Sequence, residues 1–349
     1  MFGTYKKDDV TILLKDITGL VKPLSTSERE KAIQSGTPYS EMLPIEYVPS
    51  EEYMRTYNEA LVNYAQITAD ATAIVAEKIW EDKRENAVLV SLARAGISIG
   101  VLIKRYIKKK YNKDIPHYAI SIIRGVGIDK NAMNYILKKH TPESIQFVDG
   151  WTGKGAIQNQ LNEAMLDFPG VSPGLAVLSD PAHISEKCGT HDDFLIASSC
   201  LNCVVSGLLS RTFLRDDIIK ENDFHGAAFY KELINSDLTY QFIDKVESCF
   251  KFDVVSTEKY IVNGAGLEEA QDIAYIFNIE NINLIKPSIG EATRVLLRRV
   301  PWKILVRSFD DPEHLGHLYQ LAKEKNVEII EYPLVNYRAC GIIKNFADA

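Results

Sequence analysis

The sequence predicts an α/β protein built on a parallel sheet flanked by helices, followed by a smaller α/β module. Three observations carry this. From residue 87 onward, continuous apolar strands alternate with amphipathic helices, the pattern of a parallel sheet covered on both faces. Three glycine-bearing turns, Arg94/Gly96, Arg124/Gly127 and Asp149/Gly155, follow strand ends, where ligands of such sheets sit. After a helical stretch near 238–250 a second alternation begins, which divides the chain into residues 1–251 and 252–349.

Taken in order, residues 1–50 read as an irregular collar with one short helix. Ser25 and Glu28 form a capping box and Gly36 a C-cap. Ser50-Glu-Glu opens a long helix whose buried ladder is Ile67, Ala71, Val75 and Ile79. Ala87–Ser91 is a strand, and Ile97 to Lys110 a helix with a basic, solvated face. Tyr118–Ile123 is the next strand, followed by Arg124–Asp129 and a helix to Lys139. The strand 145–149 follows, then Leu175–Leu178 and Phe194–Ala197. In the second module, Leu267 to Phe277, Gly290–Arg299 and Pro312–Lys325 are helical. Ile282–Ile285, Lys303–Arg307, Val327–Glu331 and Cys340–Lys344 are strands.

The 349 residues are ordinary for a globular protein, with 46% apolar and 25% charged side chains. A net charge of −7 offers no global attraction to nucleic acid or an anionic membrane, so any anion binding must be local. The N-terminus lacks the apolar core of a signal peptide, and no run approaches the ~18 apolar residues of a membrane span. The five cysteines, 188, 200, 203, 249 and 340, are odd in number and unevenly spaced. They read as reduced thiols in a cytoplasm. Cys200-x-x-Cys203 lacks the second half of a zinc site.

The stretch Ile145-Gln-Phe-Val-Asp-Gly-Trp-Thr-Gly-Lys-Gly-Ala-Ile157 organises the site prediction. Strand, glycine turn and helix aim backbone N–H groups at an anion. Asp149, at the strand's end, is placed to hold sugar hydroxyls. Gly155 after Lys154 excludes a Walker A loop, and Gln158 a dinucleotide fingerprint. His183, after Asp180-Pro-Ala, is the histidine best placed to line a site. His191 and His225 are the other candidates.

Ser91-Leu-Ala-Arg-Ala-Gly-Ile-Ser-Ile-Gly100, Ser121-Ile-Ile-Arg-Gly-Val-Gly-Ile-Asp129 and the 147–157 turn resemble the StiP-type family. So do Ser35-Gly-Thr-Pro-Tyr-Ser-Glu-Met-Leu-Pro44, Cys200-Leu-Asn-Cys-Val-Val-Ser-Gly-Leu-Leu-Ser-Arg-Thr212 and Phe224-His-Gly-Ala-Ala228. That family carries a cysteine protease label, while its core looks like a type I phosphoribosyltransferase, and members are associated with tellurite-resistance and stress operons. Residues 288–294 and 309–329 are similar to the Pelota-type RNA-binding domain, with Gly290 where that motif places Asn.

The resemblance implies a type I phosphoribosyltransferase-like sheet and a Pelota-like C-terminal module. The function expected from it is a phosphoribosyltransferase binding 5-phosphoribosyl diphosphate or a related ribose phosphate with substrate-chelated Mg²⁺. It would make or modify a nucleoside-like metabolite. By position, Asp149 would hold a ribose hydroxyl, and Thr152, Gly153, Lys154 and Gly155 the 5′-phosphate, with Gly150 and Trp151 in the same turn. Ala93, Arg94, Ala95 and Gly96 would form the diphosphate loop, and Arg124, Gly125 and Lys130 a flap. Gly290, Glu291, Thr293 and Arg294 would face RNA. The alternatives are a cysteine peptidase using Cys200 with His225 or His191, and a non-catalytic sugar-phosphate or RNA-binding protein. The partners expected are a ribose-phosphate small molecule and structured RNA, with no membrane; self-association stays open.

Overall fold

The computed structural model describes residues 2–255 and 262–344. The collar contains two short strands, β1 (Thr11–Ile12) and β2 (Lys15–Asp16), and helix α1 (Thr26–Gln34). The Ser25/Glu28 capping box forms as expected. Helix α2 (Glu51–Lys83) starts where Ser50 accepts from the Tyr53 N–H. Then come β3 (Val88–Ala93), α3 (Ala95–Tyr111), β4 (His117–Ile123), β5 (Gly127–Ile128) and α4 (Lys130–Leu137). They are followed by β6 (Ile145–Val148), α5 (Ala156–Ala164), β7 (Leu175–Ser179) and β8 (Lys187–Thr190). A short strand β9 (Gly226–Ala227), pairing with β2, and helix α6 (Thr239–Glu247) complete the first module.

The large sheet runs β1-β4-β3-β6-β7-β8, with every pair parallel; β5 folds back antiparallel on β4. Strand alternation sends Leu89 and Ala119 into the apolar cluster shared with α2 and α3. Val88, Val90, Leu92, Ile120 and Ile122 face the cluster that contains Met133, Ile136 and Leu161 of α4 and α5. Both faces are therefore covered, and the expected fold class is the observed one.

The second module is α7 (Ala265–Ile276), β10 (Ile285–Pro287), α8 (Ile289–Arg298), β11 (Pro301–Val306), α9 (Pro312–Glu324), β12 (Glu328–Glu331) and β13 (Ala339–Ile343). Its sheet order is β10-β13-β11-β12, with β11 and β12 parallel and β13 antiparallel to both neighbours. Helix α2 ties the modules together: Tyr64 donates to the Glu313 carbonyl at 2.7 Å, and Arg55 pairs with Glu324 at 2.7 Å. Ile289, Ala292 and Val295 of α8 share one apolar cluster with Val75 and Ile79 of α2. Asp193 of the first module accepts from the N–H groups of Ile289 and Arg338, each close to 3.0 Å.

Four sequence readings need correction, the first being Ile282–Ile285, where Ile282–Leu284 form a 3₁₀ turn and the strand is Ile285–Pro287. Phe194–Ala197 is not a strand; it is a buried connection, and the sheet's edge strand is β8 instead. Residues 187–190 are Lys-Cys-Gly-Thr, without the apolar run that marks a buried strand. The collar also supplies a strand, β1, to the large sheet. The basic face of α3 is not merely solvated, because Arg105 bridges Asp9 at 2.7 Å and Asp244 at 3.0 Å. No helix among the described residues is long and apolar enough to cross a membrane.

Candidate functional site

The expected anion-binding turn is built as read from the sequence, and its Thr152 hydroxyl, Gly153 carbonyl and Lys154 ammonium are bonded within the protein. Asp149 lies at the end of β6 and accepts from the Gly150 N–H at 2.8 Å; burial pushes its carboxyl up to about 6. Gly96 brings the Ala93–Gly96 turn against this strand end, since a Cβ there would collide with the Val148 carbonyl. Thr152 donates to Asp180 at 2.6 Å. The Gly153 carbonyl accepts from the Tyr337 hydroxyl. Lys154 spends its ammonium on the Ile282 and Ile285 carbonyls of the second module. Burial, then Lys286 and Arg124, lower the Lys154 pKa to about 7. Gly155 caps α5 at φ 88°.

The remaining predicted residues scatter around this turn. Arg94 binds the Leu209 carbonyl at 2.8 Å and Asn202 at 3.3 Å. Arg124 reaches Asn283 across the modules, while the Gly125 N–H donates to Gln160 at 2.8 Å. Lys130 pairs with Asp167 at 2.6 Å on the surface. The four residues expected to face RNA turn inward. Gly290 lies against Ser199 and Trp151, and Thr293 is fully buried beside His317 at 2.9 Å. Arg294 pairs with Glu291 at 2.9 Å and lies over the Trp151 ring, 4.5 Å from its centroid.

A different constellation sits at the ends of β7 and β8. Val177 and Cys188 are register partners on these parallel strands. Asp180 follows β7 and is fully buried, and its carboxylate accepts from the Ile184 and Ser185 N–H groups at 3.0 Å. Burial, the largest influence on this carboxyl, raises its pKa. His191 follows β8. Its Nδ1 stands 2.9 Å from the Asp180 carbonyl oxygen, and its Nε2 stands 3.8 Å from the Cys188 Sγ. A carbonyl oxygen only accepts, so Nδ1 carries the hydrogen, and Nε2 in the neutral ring presents its lone pair to the thiol. The Asp180 carboxylate lies 3.8 Å from the same Nδ1. His183 stacks on His191 with centroids 3.9 Å apart and planes 11° from parallel.

This thiol, imidazole and carboxylate converge within 4.8 Å. Sequence reading chose another thiol, Cys200, with His225 or His191 as its base, and of these only His191 belongs to this cluster. Cys200 is fully buried, and burial pushes its thiol up to about 12. His225 is engaged elsewhere: Nδ1 meets Ser121 at 2.8 Å and its N–H donates to Asp129 at 2.6 Å. The signal that would have found Cys188 was its spacing, Cys-x-x-His at a strand end beside the acid that ends the neighbouring strand.

Comparison with known proteins bears on both sites. A family model described as "Tellurite-like stress resistance cysteine protease StiP" matches residues 3–247, and the PELOTA RNA binding domain matches residues 264–345. The chain is 36% identical over 363 residues to "Cysteine protease StiP" of Acinetobacter baylyi, covering 98% of this chain and 94% of that protein. Among solved structures, a hypoxanthine-guanine phosphoribosyltransferase of Bacillus anthracis is 17% identical over 36% of this chain and 75% of its own, with a TM-score of 0.27. The same enzyme with HEPES in its active site is 15% identical, covering 40% and 74%, with a TM-score of 0.23. The matching relative and family are described as cysteine proteases, which overturns the expectation of a glycosyltransferase. The physical counterpart is the turn at 152–155, whose Gly153 carbonyl and Lys154 ammonium are already bonded within the protein.

Proposed function

We propose that this chain, which belongs to the StiP family, is a cysteine peptidase with Cys188 as nucleophile, His191 as base and Asp180 as the residue that orients the base. One observation carries the reading: Nε2 of His191 faces the Cys188 Sγ at 3.8 Å while Nδ1 is held on Asp180. This is the nucleophile, base and orienter arrangement that activates a thiol.

In the proposed reaction His191 Nε2 takes the thiol proton, and sulfur attacks the peptide carbonyl carbon. The tetrahedral adduct collapses, the C–N bond breaks, and the departing amine takes the proton from His191. The thioester left on Cys188 is then attacked by water, which His191 deprotonates. The acid forms, and the thiol is restored with that proton. His183 packs on one face of the His191 ring, which steadies its plane. Cys188 is only 2% exposed, so a peptide reaches its sulfur only when the packing around the end of β8 opens.

The test is hydrolysis of an unstructured protein substrate by wild type, Cys188→Ser, His191→Asn and Cys200→Ser, each checked for an unchanged melting temperature. Cleavage lost in the first two and kept in Cys200→Ser is the expected result. Cleavage by Cys188→Ser at the wild-type rate sinks the assignment.

A further inference from the structure

A second feature is independent of the thiol site. Between the modules lies a cavity of about 580 Å³, walled by the collar segment Pro44–Pro49, the start of α3, residues 201–204 and helix α8. Seven of its lining side chains are cationic and two, Glu46 and Glu291, are acidic. Such a surplus is unusual in a chain whose net charge is −7.

Two of these cations, Arg211 and Arg298, keep donors that the protein does not meet. Among the described residues, Nε and Nη2 of Arg211 and Nε of Arg298 are buried without a hydrogen-bond partner. Each such donor is destabilising while it is left unmet. Burial lowers the Arg298 guanidinium to about 9, with Arg294 and Arg94 adding to the effect. Burial likewise lowers Arg211 to about 10, helped by Arg29 and Arg94. Lys286 is lowered too, by burial first. Apposed cations with open N–H groups are what a bound anion relieves, because guanidinium forks match planar oxyanions.

We propose that this cavity binds a compact polyanion carrying two or more adjacent oxyanion groups, phosphoryl or carboxyl, clamped between Arg211 of the first module and Arg298 of the second. The site is distinct from the 152–155 turn, whose lysine points into the second module, though it takes in Arg94 and Ala95 of the loop that the resemblance assigns to diphosphate. Its walls come from both modules, so occupancy also locks their docking. A cavity of this size takes a few oxyanion groups and excludes a nucleic-acid duplex, which favours a small ligand over RNA.

The experiment is thermal unfolding and calorimetry of the full chain with sodium tripolyphosphate, citrate or orthophosphate at constant ionic strength. Tripolyphosphate or citrate at about 1 mM is expected to raise the melting temperature by about 3 °C or more, and orthophosphate by less. Which of the two stabilises more identifies phosphoryl or carboxyl chemistry. Arg298→Gln and Arg211→Gln should each weaken binding roughly tenfold. Without ligand, Arg211→Gln should melt near the wild-type temperature, since it removes a repelled charge with unmet donors, and Arg298→Gln slightly below it, since it also gives up the bond to the Ser199 carbonyl. Arg211→Lys, which keeps the charge but loses the fork, gives a fold-conserving check and should also bind more weakly. No stabilisation by any of the three anions, or undiminished binding in every variant, overturns the proposal. Arg298-dependent binding of a structured RNA without binding of either small polyanion overturns it as well. Peptidase activity plays no part in these readouts.

Discussion

The Tyr337 hydroxyl, on the second module, donates its hydrogen to the carbonyl of Gly153 in the first. A single bond thus joins the connection before β13 to the turn that follows β6. Burial holds the phenol proton on Tyr337, raising its pKa well above the usual range. Tyr337→Phe keeps the ring and leaves the carbonyl without this donor. It should lower unfolding free energy by about 1–2 kcal/mol in urea titrations. A change within error means the bond adds nothing to docking.

The strand-end carboxyl of Asp149 predicts a pH dependence. Its folded pKa of about 6 exceeds the ordinary value of 3.8, chiefly through burial. The native state therefore holds this proton more tightly than the unfolded chain does. Its contribution to stability falls as pH rises from about 4 to about 6, then levels off. Asp149→Asn removes that loss, and its amide oxygen still accepts from Gly150. The stability of the variant relative to wild type should grow by on the order of 2 kcal/mol between pH 4 and pH 7. A pH-independent difference in urea midpoint contradicts this account.

Gly189 sits between Cys188 and the end of β8 where the strand passes over α2. A Cβ there would lie 2.6 Å from the Ala71 Cβ and 2.7 Å from the Leu178 carbonyl oxygen. Both obstacles belong to packed elements that do not swing aside. Gly189→Ala should destabilise the fold by about 1–3 kcal/mol and shift β8, disturbing the Cys188–His191 approach. Scanning calorimetry and the rate of alkylation at Cys188 read the two effects. An unaltered melting temperature means the strand adapts.

Arg294 faces the first module: Nε donates to the Ser199 carbonyl at 3.2 Å and its guanidinium covers Trp151. Arg294→Ala should cost about 1–3 kcal/mol of stability through lost hydrogen bonds and cation–π contact. With this side chain turned inward, any affinity of the full chain for structured RNA should stay within about twofold. A large loss of RNA affinity at unchanged stability would place Arg294 on the RNA face after all.

Local pattern was enough for the alternation of strands and helices, for the Ser25 and Ser50 caps, and for the inward ladder of Ala71, Val75 and Ile79. These depend on residues a few positions apart, whose side chains are neighbours on one helix or alternate on one strand. The apolar composition of β3, β4 and β7 likewise announced a sheet buried on both faces. Pairing of distant segments was a different matter. Asp180 and His191 are eleven positions apart, and they meet because β8, a strand whose own sequence gives no apolar signal, packs parallel to β7. Tyr337 and Lys154 tie the turn after β6 to the second module because α2 and Asp193 dock that module against it. Which turn is covered rests on packing between segments more than a hundred residues apart, whereas the Cys188–His191 approach is local and only Asp180 comes to it through strand pairing. Such pairings leave no periodic trace in either partner, so only the tertiary structure decided them.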